Sequence, residues 1–343
     1  MVLDRRAAEP DAVDHSAVRR IDSIGNVRRP LRVASHLAPS VLPAYALVAR
    51  RIGERLARPA ELIVAADYQR CGADLDEVCF VCSIPYVLLA DAAAIAMAPI
   101  AAPVLVGRRY GGRPVYFSEV VVRADSPYRS FGDLAGTAWA YNEPFSHSGF
   151  MVALHRLATS GLDASFIGKW VETGFHDDAL RAVIDGRAEW AAIDSQVLGL
   201  WRRADPAIRR GLRSLEHLGP SVIQPVVAST RRLSPRERRE VLSVLVDLDG
   251  DPLGRAVLAG SGIRRFVPVA DADYDDIRDK MHLVRSAGLL PAWWDERWRA
   301  AIATGVSRRA PAARPASTPG GPPPHPAPSR PRRSSPPPSP PPS

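Results

Sequence analysis

The sequence predicts an α/β protein with two lobes, because short apolar strands alternate with amphipathic helices along most of the chain. The 343 residues provide room for two domains, and a hydrophobic content of 46% is typical of a soluble protein with a sizeable core. Helices between successive strands bring those strands back in the same direction, so we expect mostly parallel sheets.

The elements follow from apolar runs and helix signals, taken in chain order. Strands are predicted over residues 31–35, 60–66, 77–83, 102–107, 115–124, 189–194 and 222–229, and helices over 41–57, 148–160, 177–185 and 234–248. Ser234 and Pro235 are typical of the N-cap and the first residue of the last helix. The apolar stretch 87–107 is long enough to span a membrane, but Asp91 and two prolines interrupt it. We therefore predict a short helix followed by a buried strand, and no integral membrane protein.

The order of the elements predicts that the chain crosses between two lobes twice. The long strand at 115–124 and the Gly-Pro step at 219–220 place these crossings near 118–122 and 220–225. The predicted parts are a mobile leader (1–30), a discontinuous lobe one (31–117 plus 226–300), lobe two with the crossings (118–225), and a tail (306–343). The tail is rich in Pro, Arg and Ser, a composition that favours disorder over a packed core.

The charge and cysteine content exclude several classes of protein. The net charge is +8, but six arginines and no acid follow residue 307, which leaves about +2 elsewhere. This is not the charge distribution of a nucleic-acid-binding protein. Cys79 and Cys82 form a C-x-x-C within a predicted strand, where residues three apart point to opposite faces. That pattern favours buried structural cysteines over a metal or redox site, and we expect neither a metal nor a cofactor.

The first thirty residues contain no apolar run of the length that a secretory signal needs. As encoded, the chain is therefore expected to be cytoplasmic.

The stretch AYNEPFSHSGFMVALHRL, residues 140–157, places two serines, a histidine and a glycine where a helix begins. Backbone N–H groups are unpaired at a helix start, and hydroxyl groups there add donors for an anion. Ser146, His147, Ser148 and Gly149 are thus candidate ligands of a phosphate-like or carboxylate group. The alternative is an ordinary N-cap, in which Ser146 or Ser148 accepts from its own helix. A nucleophilic hydrolase is disfavoured, because the G-x-S-x-G motif is absent.

This stretch and its surroundings resemble the phosphate/phosphonate-binding family of ABC-transporter substrate-binding proteins. That family has R-x-D-S, D-L-x-G and S-x-S-G motifs in this order, matched here by Arg123, Asp125 and Ser126, by Asp133, Leu134 and Gly136, and by Ser146, Ser148 and Gly149. The likeness continues through residues 172–196 and 264–279 and covers about residues 31–285. His147 departs from the family, which often has Thr there.

The resemblance implies a type II periplasmic-binding-protein fold, in which two α/β lobes joined by a two-strand hinge close on a small ligand. The implied function is capture of a small oxyanion (phosphate, phosphonate or phosphite) for an ABC importer, with a permease as partner and no catalysis. Members are normally periplasmic or attached to the cell envelope. Their serine-rich helix start binds the oxyanion, and His147 would alter that site or make binding depend on pH.

Other candidate ligand-binding residues stand at predicted strand or helix ends. Asp194 ends an apolar strand, where a carboxylate is placed to pair with a ligand ammonium or to cap the following helix. His176 precedes a helix, where it could face the cleft from lobe two or cap that helix. Ser35 and His36 end the first strand, and Tyr86 follows the strand at 77–83.

Two other functions fit the same fold. A cytoplasmic enzyme acting on a small organic acid is suggested by His147 and by the missing signal segment. A ligand-dependent sensor with the proline-rich tail as a tether is the other alternative. Fold analogy does not choose among the three.

Overall fold

The computed structural model describes residues 29–64 and 68–303. The predicted leader falls almost wholly outside these residues, and the predicted proline-rich tail lies outside them entirely.

Within the described residues, strands and helices alternate as the sequence predicted. The strands are β1 (Leu31–Ser35), β2 (Ala60–Val64), β3 (Val78–Phe80), β4 (Met97–Leu105), β5 (Val115–Arg123), β6 (Thr137–Tyr141), β7 (Ile167–Glu172), β8 (Trp190–Asp194), β9 (Leu212–Val222), β10 (Val226–Ser229) and β11 (Ile263–Pro268). The α-helices are α1 (Leu42–Leu56), α2 (Gln69–Gly72), α3 (Ser83–Asp91), α4 (Val152–Thr159), α5 (His176–Ile184), α6 (Ser195–Ala204), α7 (Pro206–Gly211), α8 (Pro235–Asp247), α9 (Pro252–Gly260), α10 (Asp275–Ser286) and α11 (Trp294–Ile302).

Shorter helical turns supplement these elements. The 3-10 turns are Pro39–Val41, Arg108–Tyr110, Phe131–Leu134, Ala164–Phe166, Leu248–Gly250 and Asp271–Tyr274, and a π-helical turn, His147–Met151, leads into α4.

The strands form two mixed sheets. The first has the order β11-β4-β10-β3-β1-β2, and the second has the order β7-β6-β8-β5-β9. Parallel pairs occur where helices connect the strands, as between β1 and β2 or β6 and β7. The strands that enter from the other sheet, β10 and β5, run antiparallel to both of their neighbours. The expectation of mostly parallel sheets was therefore wrong, because two strands arrive by a crossing rather than through a helix.

The chain crosses between the sheets at two places. It leaves the first sheet after Leu105 and joins the second at Val115, ahead of the predicted crossing at 118–122, which lies inside β5. It returns to the first sheet between Val222 and Val226. The lobe boundaries at 117/118 and 225/226 stay a prediction, which limited proteolysis would test.

Local signals in the sequence account for several elements. Ser234 caps α8 as predicted, because its hydroxyl accepts from Glu237 N at 3.2 Å while the Glu237 carboxylate accepts from Ser234 N at 2.9 Å. The apolar stretch 87–107 forms the end of α3 and then β4, in agreement with the prediction. No helix among the described residues has the length and apolar character needed to cross a membrane.

Tryptophans near the end of the described chain pack against the body of the protein. Trp294 is fully buried, and its indole N–H donates to the Pro144 carbonyl at 2.9 Å. Trp298 lies against the rings of Phe145 and Tyr68, with centroids 5.1 and 6.2 Å away. Both tryptophans therefore pack into the body of the protein, beside the strand ends that carry the candidate site.

Candidate functional site

A cleft of about 400 Å³ is lined by segments that follow β1, β3, β6, β7 and β8. Its size lies within the range of small-molecule sites, about 300–1,000 Å³. The carboxyl ends of strands from both sheets thus supply its polar groups, as they do in other open α/β sheets.

Several helices begin at the wall of this cleft. Cys82 is the N-cap of α3, Ser146 is the N-cap of the π-helical turn before α4, and Asp194 is the N-cap of α6. Phe175 precedes α5, and all four residues line the cleft. Helix N-termini carry unpaired N–H groups and partial positive charge, so their convergence favours an anionic group in the cleft.

The stretch from Ser146 to Gly149 forms the helix start predicted from the sequence. Ser146 Oγ accepts from Gly149 N at 3.0 Å, so the N-cap alternative holds for Ser146. Ser146 also lines the cleft, and its hydroxyl proton is still a donor. Gly149 lets the backbone pack tightly here, since a Cβ would overlap the side-chain amide of Asn142 and lie 3.0 Å from His176 Cε1.

Ser148 and His176 come together in the cleft wall. Ser148 Oγ lies 3.0 Å from His176 Nε2, and both residues line the cleft. Burial lowers the pKa of His176 to about 4, so the imidazole is neutral at physiological pH. His176 contacts Ser148 and is not the cap of α5, which is Phe175.

His147 does not line the cleft, although the sequence analysis placed it in the site. The side chain is fully buried, its ring centroid lies 6.1 Å from that of Tyr116, and burial holds its pKa well below the usual value. Its two ring nitrogens have no hydrogen-bond partner among the described residues. In a helix start, alternate side chains point to different sides, and this one points into the core. A direct effect of His147 on the ligand or on the pH dependence of binding has no geometric support.

Asp194 is the N-cap of α6, one of the two roles that the sequence left open, and the pairing with a ligand cation stays a prediction. Its carboxylate accepts from Gln196 N at 2.6 Å and from Val197 N at 3.4 Å, which caps α6. It also lines the cleft, and burial raises its pKa to about 6 despite these hydrogen bonds and one from Gln224. A buried carboxyl group with a raised pKa is a favourable place for a ligand cation.

Of the three candidate ligand-binding residues that follow strands of the first sheet, one lines the cleft and two are buried outside it. His36 lines the cleft, whereas Ser35 is fully buried at the end of β1 and accepts from Leu37 N at 3.4 Å. Tyr86 lies outside the cleft, because its hydroxyl donates to Asp271 at 2.5 Å and its ring packs edge-on against Tyr274. The residues at this strand end that do reach the cleft are Cys82 and, from the segment after β2, Tyr68.

Sequence reasoning missed several lining residues. Asn142 follows β6 directly and Gln196 is two residues beyond Asp194, so their positions at strand ends are a signal that could have found them. Gln224 lies on the return crossing. Arg297 comes from α11 near the end of the described chain, and no local pattern indicates that this helix reaches the cleft.

The charged groups of the cleft lining are mainly acidic. Glu143, Glu172 and Asp194 line it, whereas Arg297 is its one guanidinium among the described residues. Arg297 donates to both carboxylate oxygens of Glu172 at 2.6 and 2.7 Å. Glu143 accepts from the Tyr68 hydroxyl at 2.5 Å, and burial raises the pKa of Glu143 to about 7. A ligand anion here depends mainly on hydroxyl and backbone dipoles.

A family model described as "ABC transporter, phosphonate, periplasmic substrate-binding protein" matches residues 32–274. The chain belongs to this family. The resemblance inferred from the sequence motifs is thereby confirmed at the level of the family. The protein is a substrate-binding protein of the ABC-transporter type and not an enzyme, so the enzyme alternative is not supported.

Solved structures with the same fold agree with this assignment. A binding-protein component of an ABC phosphonate transporter from Pseudomonas aeruginosa is 15% identical, with a TM-score of 0.66 over 79% of this chain and 94% of that one. PhnD1 from Prochlorococcus marinus, in complex with methylphosphonate, is 17% identical, with a TM-score of 0.66 over 76% and 99%. The periplasmic aliphatic sulphonate binding protein SsuA from Escherichia coli is 14% identical, with a TM-score of 0.52 over 78% and 88%. At these identities the likeness shows the fold, which is the two-lobed binding-protein fold predicted from the sequence.

Proposed function

We propose that this binding protein captures an organic phosphonate that also carries a positive charge, such as an aminoalkylphosphonate, for delivery to an ABC permease. The observation that carries the proposal is the convergence of helix starts and serine hydroxyls on a cleft whose charged groups are mostly carboxyls. The first feature suits the phosphonate group and the second suits a cation.

The phosphonate end of the ligand is assigned to Ser146 and Ser148 and to the helix starts beside them. Ser148 is held by His176, and its own carbonyl accepts from the Ser118 hydroxyl at 2.6 Å, so this part of the wall is ordered before the ligand arrives. Hydrogen bonds to a charged oxygen contribute about 1.5–3 kcal/mol each, and several of them bind an anion without a lysine or arginine.

The cationic end is assigned to Asp194 and Glu143. Both carboxyl groups have a pKa raised by burial, to about 6 and about 7, so each would gain from an opposite charge in the cleft. A phosphonate dianion without a positively charged substituent would instead be repelled by these carboxylates. A zwitterionic ligand removes that repulsion.

The apolar part of the lining favours an organic substituent over an inorganic ion. Leu37, Val41, Phe145 and Val197 face the cleft together with the polar groups, and a volume of about 400 Å³ is larger than a bare phosphate needs. The Prochlorococcus marinus relative, solved with methylphosphonate, supports the phosphonate class. Closure of the two lobes over the ligand would complete the site by excluding water.

Calorimetric titration with 2-aminoethylphosphonate, methylphosphonate, inorganic phosphate and methanesulfonate tests the proposal. We expect 2-aminoethylphosphonate to bind at least about 10-fold more tightly than methylphosphonate, which corresponds to one ion pair of about 1.4 kcal/mol. Asp194→Asn should remove most of that preference. Ser146→Ala combined with Ser148→Ala should weaken both phosphonates, whereas Ser286→Ala, at an exposed serine that ends α10, should change neither.

Two results would contradict the proposal. If the two phosphonates bound with equal affinity and Asp194→Asn changed neither affinity, the assignment of a ligand cation to Asp194 and Glu143 would be wrong. Tight binding of phosphate or methanesulfonate without binding of either phosphonate would overturn the ligand class. Circular dichroism of each variant separates loss of binding from loss of folding.

A further inference from the structure

A histidine and two cysteines from separate segments meet behind the wall of the cleft. They are His36 after β1, Cys71 in α2 and Cys79 in β3, and we call them the thiol–imidazole cluster. Their donor atoms, the His36 ring nitrogen and the two Sγ atoms, lie within 4.8 Å of one another. His36 Nε2 is 3.3 Å from Cys71 Sγ.

The backbone holds two members of the cluster in register. β1 and β3 are parallel neighbours in which Ala34 is opposite Cys79, and His36 N donates to the Phe80 carbonyl at 2.9 Å. The His36 ring also stacks on the Tyr68 ring, with centroids 5.4 Å apart and an interplanar angle of 26°. The backbone hydrogen bond to Phe80 and the stacking on Tyr68 therefore fix the orientation of the His36 imidazole.

Cys71 is brought to the other two by an ion pair. Arg70, the preceding residue, donates to both carboxylate oxygens of Asp76 at 3.1 and 2.5 Å, and Asp76 is fully buried just before β3. This ion pair holds the short helix α2 next to β3, the strand that contains Cys79. Both cysteines are fully buried, whereas His36 is half-buried and lines the cleft.

We propose that the thiol–imidazole cluster binds a borderline-soft divalent metal ion such as Zn²⁺, through His36 Nε2 and the sulfurs of Cys71 and Cys79. A tetrahedral zinc site with Zn–S of about 2.3 Å and Zn–N of about 2.0 Å needs donor atoms about 3.6–3.8 Å apart. The observed separations require only small movements to reach that spacing. The metal ligands are not the residues assigned to the phosphonate and cationic ends of the ligand, although His36 lines the same cleft.

The chemistry of the donor set favours this class of ion. Two thiolates and an imidazole are ligands of zinc and other soft or borderline metals, whereas Mg²⁺ and Ca²⁺ prefer oxygen. Three protein ligands leave one tetrahedral position for water or an external ligand, and the cleft beside His36 is the route by which the ion enters.

Cys82 provides a matched control. It lies on the same part of the chain and lines the cleft, but its sulfur accepts from His147 N at 3.5 Å and is not a member of the cluster. The C-x-x-C formed by Cys79 and Cys82 is therefore not the metal-binding pair. The pairing of Cys79 with Cys71 and His36 follows from the neighbouring strands instead.

Titration of the reduced, metal-free full chain with Co²⁺ tests the site through absorption spectra. We expect one equivalent of Co²⁺ to produce thiolate-to-metal charge-transfer bands and intense visible bands of tetrahedral coordination, which Zn²⁺ displaces and Mg²⁺ does not. Cys71→Ser and Cys79→Ser should remove the thiolate bands, and His36→Ala should weaken Co²⁺ binding on the order of 100-fold. Cys82→Ser should leave the bands and the affinity unchanged.

Absence of thiolate bands in the native chain, or bands that persist in Cys71→Ser, would overturn the proposal. A second measurement uses only the native chain and Cys82→Ser: Zn²⁺ should raise the melting temperature of both metal-free proteins, because an ion that binds the folded state stabilises it. Melting temperatures that Zn²⁺ leaves unchanged would also overturn the proposal. Spontaneous formation of a Cys71–Cys79 disulfide that excess Zn²⁺ does not prevent would identify a redox pair instead.

Discussion

Ser148 Oγ and His176 Nε2 lie 3.0 Å apart in the cleft wall, although 28 residues separate them in the chain. The contact joins the π-helical turn before α4 to the first residue of α5, so two helix starts are held together at the wall of the cleft. Because His176 is buried and neutral, it orients the serine without adding charge. On this side of the cleft, the groups available to the proposed anion are therefore serine hydroxyls and backbone N–H groups.

His176→Gln should change how stability depends on pH. The folded-state pKa of His176 is about 4, below the usual 6.5, so its contribution to stability is fully present above pH 6.5 and is lost as pH falls through the folded value. The stability advantage of the native chain over His176→Gln should therefore shrink by about 2–3 kcal/mol between pH 7 and pH 4.5. Thermal or urea unfolding of the ligand-free protein at several pH values measures it. A difference that is constant across this range would show that the imidazole is not buried in the neutral form.

Asp194→Asn should give the opposite pH dependence. The folded-state pKa of Asp194 is raised from 3.8 to about 6, so its favourable contribution is present below pH 3.8 and is lost as pH rises through 6. Asparagine is also a good N-cap, so the cap of α6 is retained. Between pH 4.5 and pH 7, the free energy of unfolding of the ligand-free variant should rise by about 2 kcal/mol relative to that of the native chain. The same unfolding series measures this change, and a loss of relative stability toward neutral pH would contradict it.

Gly149→Ala should destabilise the protein and abolish phosphonate binding. The added Cβ would overlap the Asn142 amide and press on His176, in a segment whose backbone is fixed by the N-cap bond to Ser146. Overpacking of this kind costs about 1–3 kcal/mol or more. Gly260→Ala is the matched control, because it lies at the end of α9 with open space around its Cβ, and it should be neutral or stabilising by up to about 1 kcal/mol. Equal melting temperatures for the two variants would contradict the close packing at Gly149.

Much of the fold could be predicted from local signals. Buried strands such as β1 and β8 appear as apolar runs, and the capping box of α8 is visible as Ser234 and Glu237. The strands β7, β9 and β11 were missed, and for β7 and β9 the structure gives the reason. They form the two edges of the second sheet and are largely exposed on one side, so their sequences, IGKWVE and LRSLEHLGPSV, contain no continuous apolar run.

The candidate site could be predicted only where it follows a strand end. Hydroxyl, imidazole and carboxyl groups at strand ends and helix starts carry a recognisable chemical pattern, and four residues predicted from it line the cleft: Ser146, Ser148, His176 and Asp194. His147 is buried outside the cleft lining, since adjacent residues of a helix start point to opposite sides and the sequence does not say which side meets the core. Arg297 was missed because 125 residues separate it from its partner Glu172.

The sequence by itself determined the α/β class, the family, and the helix start at Ser146, because each depends on patterns within a few residues or on motifs in a given order. The tertiary structure decided which side chains share the cleft, that the chain crosses between sheets to give mixed strand directions, and that Cys79 meets Cys71 and His36 rather than Cys82. These outcomes depend on distances between segments remote in the chain. Such distances are set by packing of whole strands and helices, which no local pattern encodes.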